Sequence, residues 1–304
     1  MVIGESPLKD AYRAVVWGPW RELLERAPYG WEFRANRAIG GVAGRFAPGA
    51  YARVLTNLRR AFPERRDLRR VARATFRAHF ANQYASFAFG RITAENVDEY
   101  LVVDGLGHLD AAAAEGRGVV LVHPHMGPAQ LPLAVLGAVG RDVHQIGGGH
   151  VELRRSATGE WAAERRAALE RRLRATLHDG TTYLRAPVRA LRAGAVVLTA
   201  GDGTGGGREI GRRLVRPVLG HPMRVPVTAA WLARTAGARL HGLYCFAEGR
   251  RHRAVIGPAL PVPPDDDGAA DVLAAWLDGV LRAHPDEWLF WDQFEPGRLL
   301  GDSA

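Results

Sequence analysis

The stretch GVVLVHPHMGPAQL, from Gly118 to Leu131, decides how the rest of the chain is interpreted. Its apolar run, Gly118 to Val122, is typical of a buried strand. A turn with two histidines follows, and Pro128 suits the first turn of a helix. His125 therefore lies between the carboxyl end of a strand and the amino end of a helix, where open α/β sheets bind ligands. Side chains early in a helix lean back toward its amino end, so we expect Gln130 to reach the His125 ring.

Apolar strands and helices alternate on both sides of this stretch, and the alternation predicts an α/β fold. We expect a central mixed, mostly parallel sheet flanked by helices, with a helical amino-terminal segment, in a single domain over residues 1–304. The glycine-containing run from Gly40 to Gly49 is expected to be a loop. The predicted strands are Val97–Val103, Gly118–Val122, Asp142–Ile146, Ala195–Thr199, Arg239–Phe246 and Arg253–Ile256, the last two forming a hairpin. The predicted helices are Tyr51–Phe62, Leu68–Phe89, Leu106–Glu115, Glu152–Leu177, Ala186–Arg192, Val225–Thr235 and Ala270–Ala283.

The composition is that of a globular protein with a strong basic bias. Hydrophobic residues make up 47% and charged residues 24% of the chain, so a substantial core can form. The formal charge of +9 comes almost entirely from arginine, since Lys9 is the only lysine, and it favours anionic partners. The lone Cys245 lies in an apolar run and is expected to be a buried, inert thiol.

The amino-terminal segment, residues 1–50, combines aromatic and basic side chains. Amphipathic aromatics beside arginines suit a membrane interface, although the same rings equally suit a cover over the core. No secretory signal is apparent, and no apolar run approaches the ~18 residues that span a bilayer. We therefore expect a cytoplasmic protein, or one attached peripherally to the inner face of the membrane. The aromatic residues are Trp17, Trp20, Tyr29, Trp31 and Phe33.

His125 and Asp202 are the first candidates for chemistry. A histidine at a helix amino end can act as a general base, and the helix end can stabilise an oxyanion. Gln130 can fix the tautomer of the ring but carries no charge. Asp202 follows the strand Ala195–Thr199 in a glycine loop and is placed to supply that charge in the same cleft. A turn aspartate that bonds its own backbone is the alternative.

Three other interpretations are disfavoured by their spacing. Gly201, Gly203 and Gly206 form G-x-G-x-x-G, but no obvious helix follows and no acidic residue ends a strand ~20 residues later. The histidines lack the helical spacing and the accompanying Cys or Glu ligands of a zinc site, so no metal is expected. The arginines lack the aromatic interleaving of a nucleic-acid surface. The four histidines considered for zinc are His123, His125, His144 and His150.

Several segments, in order, resemble one family. It is that of the bacterial lysophospholipid acyltransferase-like proteins typified by the late lipid A lauroyl and myristoyl acyltransferases, with the phosphatidylinositol mannoside acyltransferases among them. No single segment is specific, but the ordered set is, and it spans about residue 50 to residue 294. The matching segments are Asn57-Leu58 with Phe62-Pro63-Glu64, Val103–Leu109, Glu115–Val120, His125-x-Gly127, Leu191–Gly194 before Asp202, Leu219-Gly220, Leu232–Ala238, His284-Pro285 and Glu287-Trp288.

The resemblance implies an α/β acyltransferase without a bound cofactor. It would move an acyl group from a coenzyme A or acyl-carrier-protein thioester to a hydroxyl of a glycolipid. In the family signature H-x4-D/E the histidine falls on His125, but the acid position falls on Gln130, which is a departure. Asp202 lies where the mannoside enzymes have a further acid. His123 and Gly127 flank the histidine as substrate-binding candidates, and Arg154, Arg171 and Arg174 are candidates for phosphates of the donor or for an acidic carrier protein.

The Gln130 departure leaves three interpretations open. Asp202 takes over the relay to His125; or the acceptor is an amine that needs little deprotonation, as in a specialised-metabolite pathway; or the chain is a non-catalytic acyl or lipid binder. Loss of an orienting carboxylate costs up to ~10⁴ in rate in serine proteases, so the departure is not a small one.

Overall fold

The computed structural model describes residues 7–147, 156–179, 184–203 and 211–301 of the chain. The α-helices are α1 (Pro7–Val15), α2 (Arg21–Leu24), α3 (Tyr29–Phe46), α4 (Pro48–Ala61), α5 (Leu68–Tyr84), α6 (Val97–Tyr100), α7 (Leu106–Ala114), α8 (Leu131–Ala138), α9 (Ala157–Glu170), α10 (Arg185–Arg192), α11 (Thr228–Ala236) and α12 (Asp266–Ala283). Shorter helical turns lie at Val16–Trp20, Ala85–Arg91 and Trp291–Gln293. The strands are β1 (Leu101–Asp104), β2 (Val119–His123), β3 (Val143–Gly147), β4 (Thr176–Asp179), β5 (Val196–Ala200), β6 (Arg213–Val218), β7 (His221–Pro226), β8 (Arg239–Glu248) and β9 (Arg251–Ala259).

The predicted mixed, mostly parallel sheet is confirmed. Seven strands lie in the order β1-β9-β8-β2-β5-β3-β4, and every neighbouring pair is parallel except β8 with β9. The antiparallel pair is the predicted hairpin, which turns at Gly249 and Arg250. Strands β6 and β7 form a separate antiparallel hairpin.

Strands β2 and β5 are largely apolar because helices cover both faces of the sheet. Alternate residues of β2 enter two different cores, as the period of a strand requires. Val120 and Val122 pack in a core with residues of α11 and α12, whereas Val119 and Leu121 pack in a core with residues of α7 and α8. His123, the last residue of β2, is thereby held at the edge of a rigid, doubly covered sheet.

The expected loop from Gly40 to Gly49 is wrong, because α3 continues to Phe46. Its glycines are packing residues. A Cβ on Gly40 would lie 2.5 Å from the carbonyl oxygen of Phe76 and 2.9 Å from the Cα of Arg77. Glycine there lets α3 lie directly on α5. The glycines of this run predict a loop, but their role is to allow this close crossing of two helices.

The basic helix expected over Glu152–Leu177 is also shorter than predicted. Within the described part, α9 begins after Ser156, whose hydroxyl accepts a hydrogen bond from the N–H of Gly159 at 3.0 Å and so caps the helix. It ends at Glu170, and Leu177 belongs to β4. The arginine-rich sequence after Glu170 has good helix propensity, which β4 pairing with β3 overrides.

Two further boundaries differ from expectation. The run Val97–Val103 begins as the short helix α6 and becomes strand only at Leu101. Val225 and Pro226 complete β7, so the helix predicted from Val225 begins at Thr228. Trp17, Tyr29 and Phe33 are buried, as expected of rings that cover the core, whereas Trp31 is exposed. No helix in the described ranges has the length and apolar character to cross a membrane.

Candidate active site

The register of two parallel strands brings His125 and Asp202 together. In the pairing of β2 with β5, His123 lies opposite Ala200, and both strands end at the same edge of the sheet. The N–H of Gly201 then donates to the carbonyl oxygen of His123 at 2.8 Å, which prolongs the pairing by one residue. His125 and Asp202 each follow two residues after the paired positions, so their side chains meet beyond the strand ends.

Asp202 holds His125 through the side chain and the backbone at once. The ring Nδ1 of His125 lies 2.7 Å from Oδ1 of Asp202, and the backbone N–H of His125 donates to Oδ2 at 2.7 Å. A carboxylate only accepts, so Nδ1 carries the proton and Nε2 keeps its lone pair. Asp202 is 0% exposed, whereas the His125 side chain is 28% exposed and lines a cleft. The geometry is that of a general base oriented by a buried acid.

The charge state of Asp202 follows from these contacts. Burial raises the pKa of the Asp202 carboxyl, but the neighbouring charge of His125 and hydrogen bonds from His125 and Trp288 lower it by more, so the pKa lies below its ordinary value. The carboxylate is therefore ionised at neutral pH and can stabilise an imidazolium.

A carboxyl-terminal segment, residues 287–290, packs across the histidine turn. The N–H of Leu289 donates to the carbonyl oxygen of His125 at 2.9 Å, and Met126 and Trp288 form an antiparallel bridge. The indole N–H of Trp288 donates to Oδ2 of Asp202 at 2.8 Å. The Phe290 ring stacks on the His125 ring with centroids 4.2 Å apart. This segment thus limits the rotation of both members of the pair.

The cleft next to His125 has a volume of about 150 Å³ and is lined by both polar and apolar groups. His123 lies in its wall. Burial and the nearby His125 lower the pKa of His123 to about 4, so its ring is neutral at pH 7. Arg213 is the one permanently charged side chain among the lining residues of the described chain. The lining residues are His123, His125, Ala129, Gln145, Ile146, Gly147, Thr199, Ala200, Gly203, Arg213, Pro226 and Thr228.

The predicted contact between Gln130 and His125 is wrong. The Gln130 amide nitrogen lies 3.3 Å from Oε1 of Glu170 and 3.5 Å from Oε1 of Gln145. Helix α8 begins only at Leu131, which leaves Gln130 at the cap position with its side chain turned toward α9 and β3. Asp202 occupies the Nδ1 side of the ring instead. Any influence of Gln130 on His125 is therefore indirect.

Gly127 lies against β8 rather than in the cleft lining. Its φ is +62°, and a Cβ there would approach the Cβ of Cys245 to 2.6 Å and its carbonyl oxygen to 2.7 Å. Both conditions require glycine, because a left-handed backbone and a close approach exclude other side chains. Cys245 itself is buried, as expected, and burial raises the pKa of its thiol.

Of the predicted phosphate-binding arginines, Arg171 and Arg174 do not line the cleft. Arg154 lies outside the described residues. Arg171 directly follows α9, and Arg174 precedes the amino end of β4 by two residues. Strand β4 runs parallel to β3, and the last residue of β3, Gly147, lines the cleft. Arg174 precedes β4 and therefore lies at the amino ends of the strands, on the side of the sheet away from the cleft.

Backbone donors are available where the turn enters α8. Ala129 lines the cleft, and the N–H groups of Ala129 and Gln130 have no hydrogen-bond acceptor within the described chain. The first N–H groups of a helix carry a partial positive charge, which suits a developing anion.

Sequence reasoning did not single out Trp288, Phe290 or Arg213 as parts of the site. Glu287-Trp288 was noticed only as a matching motif, and nothing in the sequence indicates that the tail returns to the edge of the sheet. Arg213 lies in a charged, glycine-broken run without a motif. Its position in the cleft follows from the β6–β7 hairpin, in which it is paired with Pro226.

The model of the bacterial lipid A biosynthesis acyltransferase family matches residues 14–294, and the chain belongs to this family. It is similar to the phosphatidylinositol mannoside acyltransferase of Mycobacterium tuberculosis, in two strains, with 30% identity over 193 residues. The aligned part covers 62% of this chain and 57% of that relative's length.

Proposed function

We propose that the protein is an acyltransferase with His125 as its general base. It transfers an acyl group from a thioester to a hydroxyl or amine of a lipid, glycolipid or specialised-metabolite acceptor. The observation that carries the proposal is the 2.7 Å hydrogen bond between the buried Asp202 and a cleft-lining His125, in a member of this family. Of the three interpretations left open by Gln130, this contact favours the one in which Asp202 completes the relay.

In the proposed reaction, Nε2 of His125 takes the proton from the acceptor as its oxygen or nitrogen attacks the thioester carbonyl. A tetrahedral oxyanion forms, and Asp202 stabilises the imidazolium through Nδ1–H. The carbon–sulfur bond then breaks, and Nε2 returns the proton to the departing thiolate. The products are the acylated acceptor and the free thiol, and neither a metal nor a bound cofactor enters any step.

The oxyanion is proposed to lie near the amino end of α8. Support comes from the N–H groups of Ala129, which lines the cleft, and of the following Gln130, neither of which has an acceptor within the described chain. Preorganised backbone donors of this kind are worth roughly 10²–10³ in rate in other acyl-transfer enzymes.

Arg213 is the proposed contact for an anionic part of the donor. Coenzyme A and the prosthetic arm of a carrier protein both carry phosphate esters, which arginine binds with charge-assisted hydrogen bonds. The side chain lines the cleft, and its guanidinium lies beside Gly203, next to the reacting pair. Arg213 thereby replaces the arginines after Glu170 as the candidate for this role.

A lipid-like acceptor implies that the protein works at a membrane surface, which we propose is the inner face of the cell membrane. The outward face of α3 supports this. Trp31 is 51% and Phe46 84% exposed, and Ile39 and Val42 are exposed between them at helical spacing. Arg34 and Arg45 lie exposed beside this apolar face, as expected for contact with anionic headgroups.

The test is acyl transfer and thioester hydrolysis with acyl-coenzyme A, using His125→Ala and Asp202→Asn. We expect the His125 variant to lose at least about 10³-fold in kcat and the Asp202 variant about 10²–10⁴-fold. His108→Ala serves as the matched control, because His108 is a half-buried histidine of α7 outside the cleft lining.

Undiminished turnover by the His125 variant would contradict the assignment of the base. Tight acyl-chain binding without turnover by any form of the protein would favour the non-catalytic binder. The variant Gln130→Glu tests whether the active site is weakened. A large gain in kcat with alcohol acceptors would show that the acid missing from position 130 limits the rate of acyl transfer.

A further inference from the structure

We propose that Trp288 is a positioning residue that holds the Asp202 carboxylate in the one orientation able to serve His125. This inference rests on the proposed role of the His125–Asp202 pair. Trp288 is not among the residues that line the cleft, and its indole N–H bonds Asp202, so it acts through Asp202.

The hydrogen bonds of the carboxylate divide cleanly between its two oxygens. Oδ2 receives the indole N–H of Trp288 at 2.8 Å and the backbone N–H of His125 at 2.7 Å. Oδ1 is thereby left to face Nδ1 of His125 at 2.7 Å. Turning the carboxylate plane out of this arrangement weakens these contacts. The Trp288 donor therefore selects the rotamer in which Oδ1 meets the ring.

Burial increases the effect of losing the Trp288 hydrogen bond. Both Trp288 and Asp202 are 0% exposed, so water cannot replace the indole N–H when it is removed. The hydrogen bond from Trp288 is one of the contacts that lower the pKa of Asp202 against the effect of burial. Without it the carboxylate is free to turn away from Nδ1, and it stabilises the His125 imidazolium less well.

The chain offers a matched control in the same segment. Trp291 is also fully buried, and its ring lies 4.8 Å from that of Trp288 in an edge-to-face contact. Its indole N–H donates to the backbone carbonyl of Pro285 and not to Asp202. Trp288→Phe and Trp291→Phe thus remove the same atoms and one hydrogen bond each from the same aromatic cluster, and differ in the acceptor that is lost.

The experiment compares wild type, Trp288→Phe and Trp291→Phe by two measurements. The first is the NMR titration of the His125 ring, which does not require turnover. The second is the pH profile of kcat with acyl-coenzyme A. For Trp288→Phe we expect the His125 titration and the acid limb of the profile to move to lower pH together, because a misaligned carboxylate stabilises the imidazolium less. We also expect kcat to fall about 10–100-fold with little change in KM, as for loss of a hydrogen bond to a charged group. Trp291→Phe should leave both pH dependences unchanged.

Equal His125 titrations in the two variants would overturn the proposal, whatever the activity. If the wild type proves inactive but Trp288→Phe alone shifts the titration, the positioning role stands and the proposed function fails. A second replacement guards against misfolding: 3-benzothienylalanine at position 288 keeps the bicyclic ring and lacks the N–H, and it should reproduce the shift. In an Asp202→Asn background, Trp288→Phe should cause no further loss of kcat, because its effect passes through the carboxylate.

Discussion

At the scale of single residues, three contacts hold His125, two of them to its ring. Asp202 fixes its Nδ1, Phe290 stacks on its face, and Leu289 bonds its backbone carbonyl. A histidine held this way loses little rotamer entropy when a substrate binds, so its lone pair is already aligned for proton transfer. The carboxylate arrives from the neighbouring strand rather than from the position five residues after the histidine.

Arg213 gives the sharpest prediction at this scale. Arg213→Gln removes the positive charge from the cleft, and we expect KM for acyl-coenzyme A to rise about 10–100-fold, in line with loss of a charge-assisted hydrogen bond. KM for an acyl N-acetylcysteamine thioester, which has no phosphate, should change little. Steady-state kinetics with the two donors measure the difference.

Arg174→Gln is the control for this prediction, because Arg174 lies at the opposite edge of the sheet. An equal rise in KM with both donors would mean that Arg213 contacts something other than the donor phosphate. A rise confined to the KM of the acceptor would assign its charge to the acceptor.

At the scale of elements, the turn between β2 and α8 carries the site, and its path depends on Gly127. The backbone turns there with a left-handed φ of +62° while in contact with Cys245 of β8. The N–H of Gly127 also lies 3.4 Å from the carbonyl oxygen of Glu287, which ties the turn to the carboxyl-terminal segment. Gly127 therefore contributes to the site by letting His125 and the start of α8 pack close to the sheet.

Gly127→Ala should accordingly lower the free energy of unfolding by more than backbone strain alone would. We expect it to lower the free energy of unfolding by about 2–4 kcal/mol, combining left-handed strain with overpacking, and to reduce turnover by displacing His125. Chemical denaturation and kinetics of the same variant measure the two effects.

Gly140→Ala provides the comparison, since Gly140 has a φ of +84° but a Cβ there would meet nothing within 4 Å. It should lower the free energy of unfolding by only about 1–2 kcal/mol, from backbone strain alone, and leave turnover unchanged. Equal losses in the two variants would show that the contact with Cys245 does not matter.

At the scale of the whole molecule, a buried series of hydrogen bonds joins α3 to the carboxyl-terminal segment, residues 287–290. The Tyr29 hydroxyl bonds Nδ1 of His252, Nε2 of His252 bonds Asn82, and Asn82 donates to Glu287, the residue before Trp288. The inner face of α3 is thus fixed to the body of the protein. Its outer, apolar face remains exposed, and that division fits the proposed docking of α3 on a membrane surface.

Replacing Val42 and Phe46 with Asp should weaken the proposed docking. We expect binding to vesicles of phosphatidylglycerol and phosphatidylethanolamine to weaken at least about 10-fold, since each buried apolar side chain contributes roughly 1.5–3 kcal/mol. Co-sedimentation with the vesicles measures it, and wild-type binding should fall with salt because Arg34 and Arg45 flank the face.

Val215→Asp is the control, because Val215 is 48% exposed on β6, outside α3. Unchanged vesicle binding by the α3 double variant would remove this surface from consideration and leave the catalytic proposal untouched.

Prediction from sequence succeeded where local pattern and tertiary role agree. The strand before His123 and the strand before Asp202 are continuous apolar runs, and both are central strands. It failed at Gly40, whose glycine predicts a loop but allows the close crossing of two helices. It also failed at Arg174, which has helix propensity but lies just before the edge strand β4. Propensity is local, and those outcomes depend on what packs against the residue.

The sequence by itself determined the α/β class, the strand-to-helix turn with His125, and the family, because apolar periodicity and ordered motifs are properties of the linear chain. Only the tertiary structure decided which groups surround the imidazole. Asp202 reaches it through the parallel register of β2 and β5, and Trp288 and Phe290 reach it because the carboxyl-terminal segment returns to the sheet edge. Gln130, adjacent in sequence, faces Glu170 instead. Contacts between residues 77 to 165 positions apart depend on pairing and packing, which no local pattern encodes.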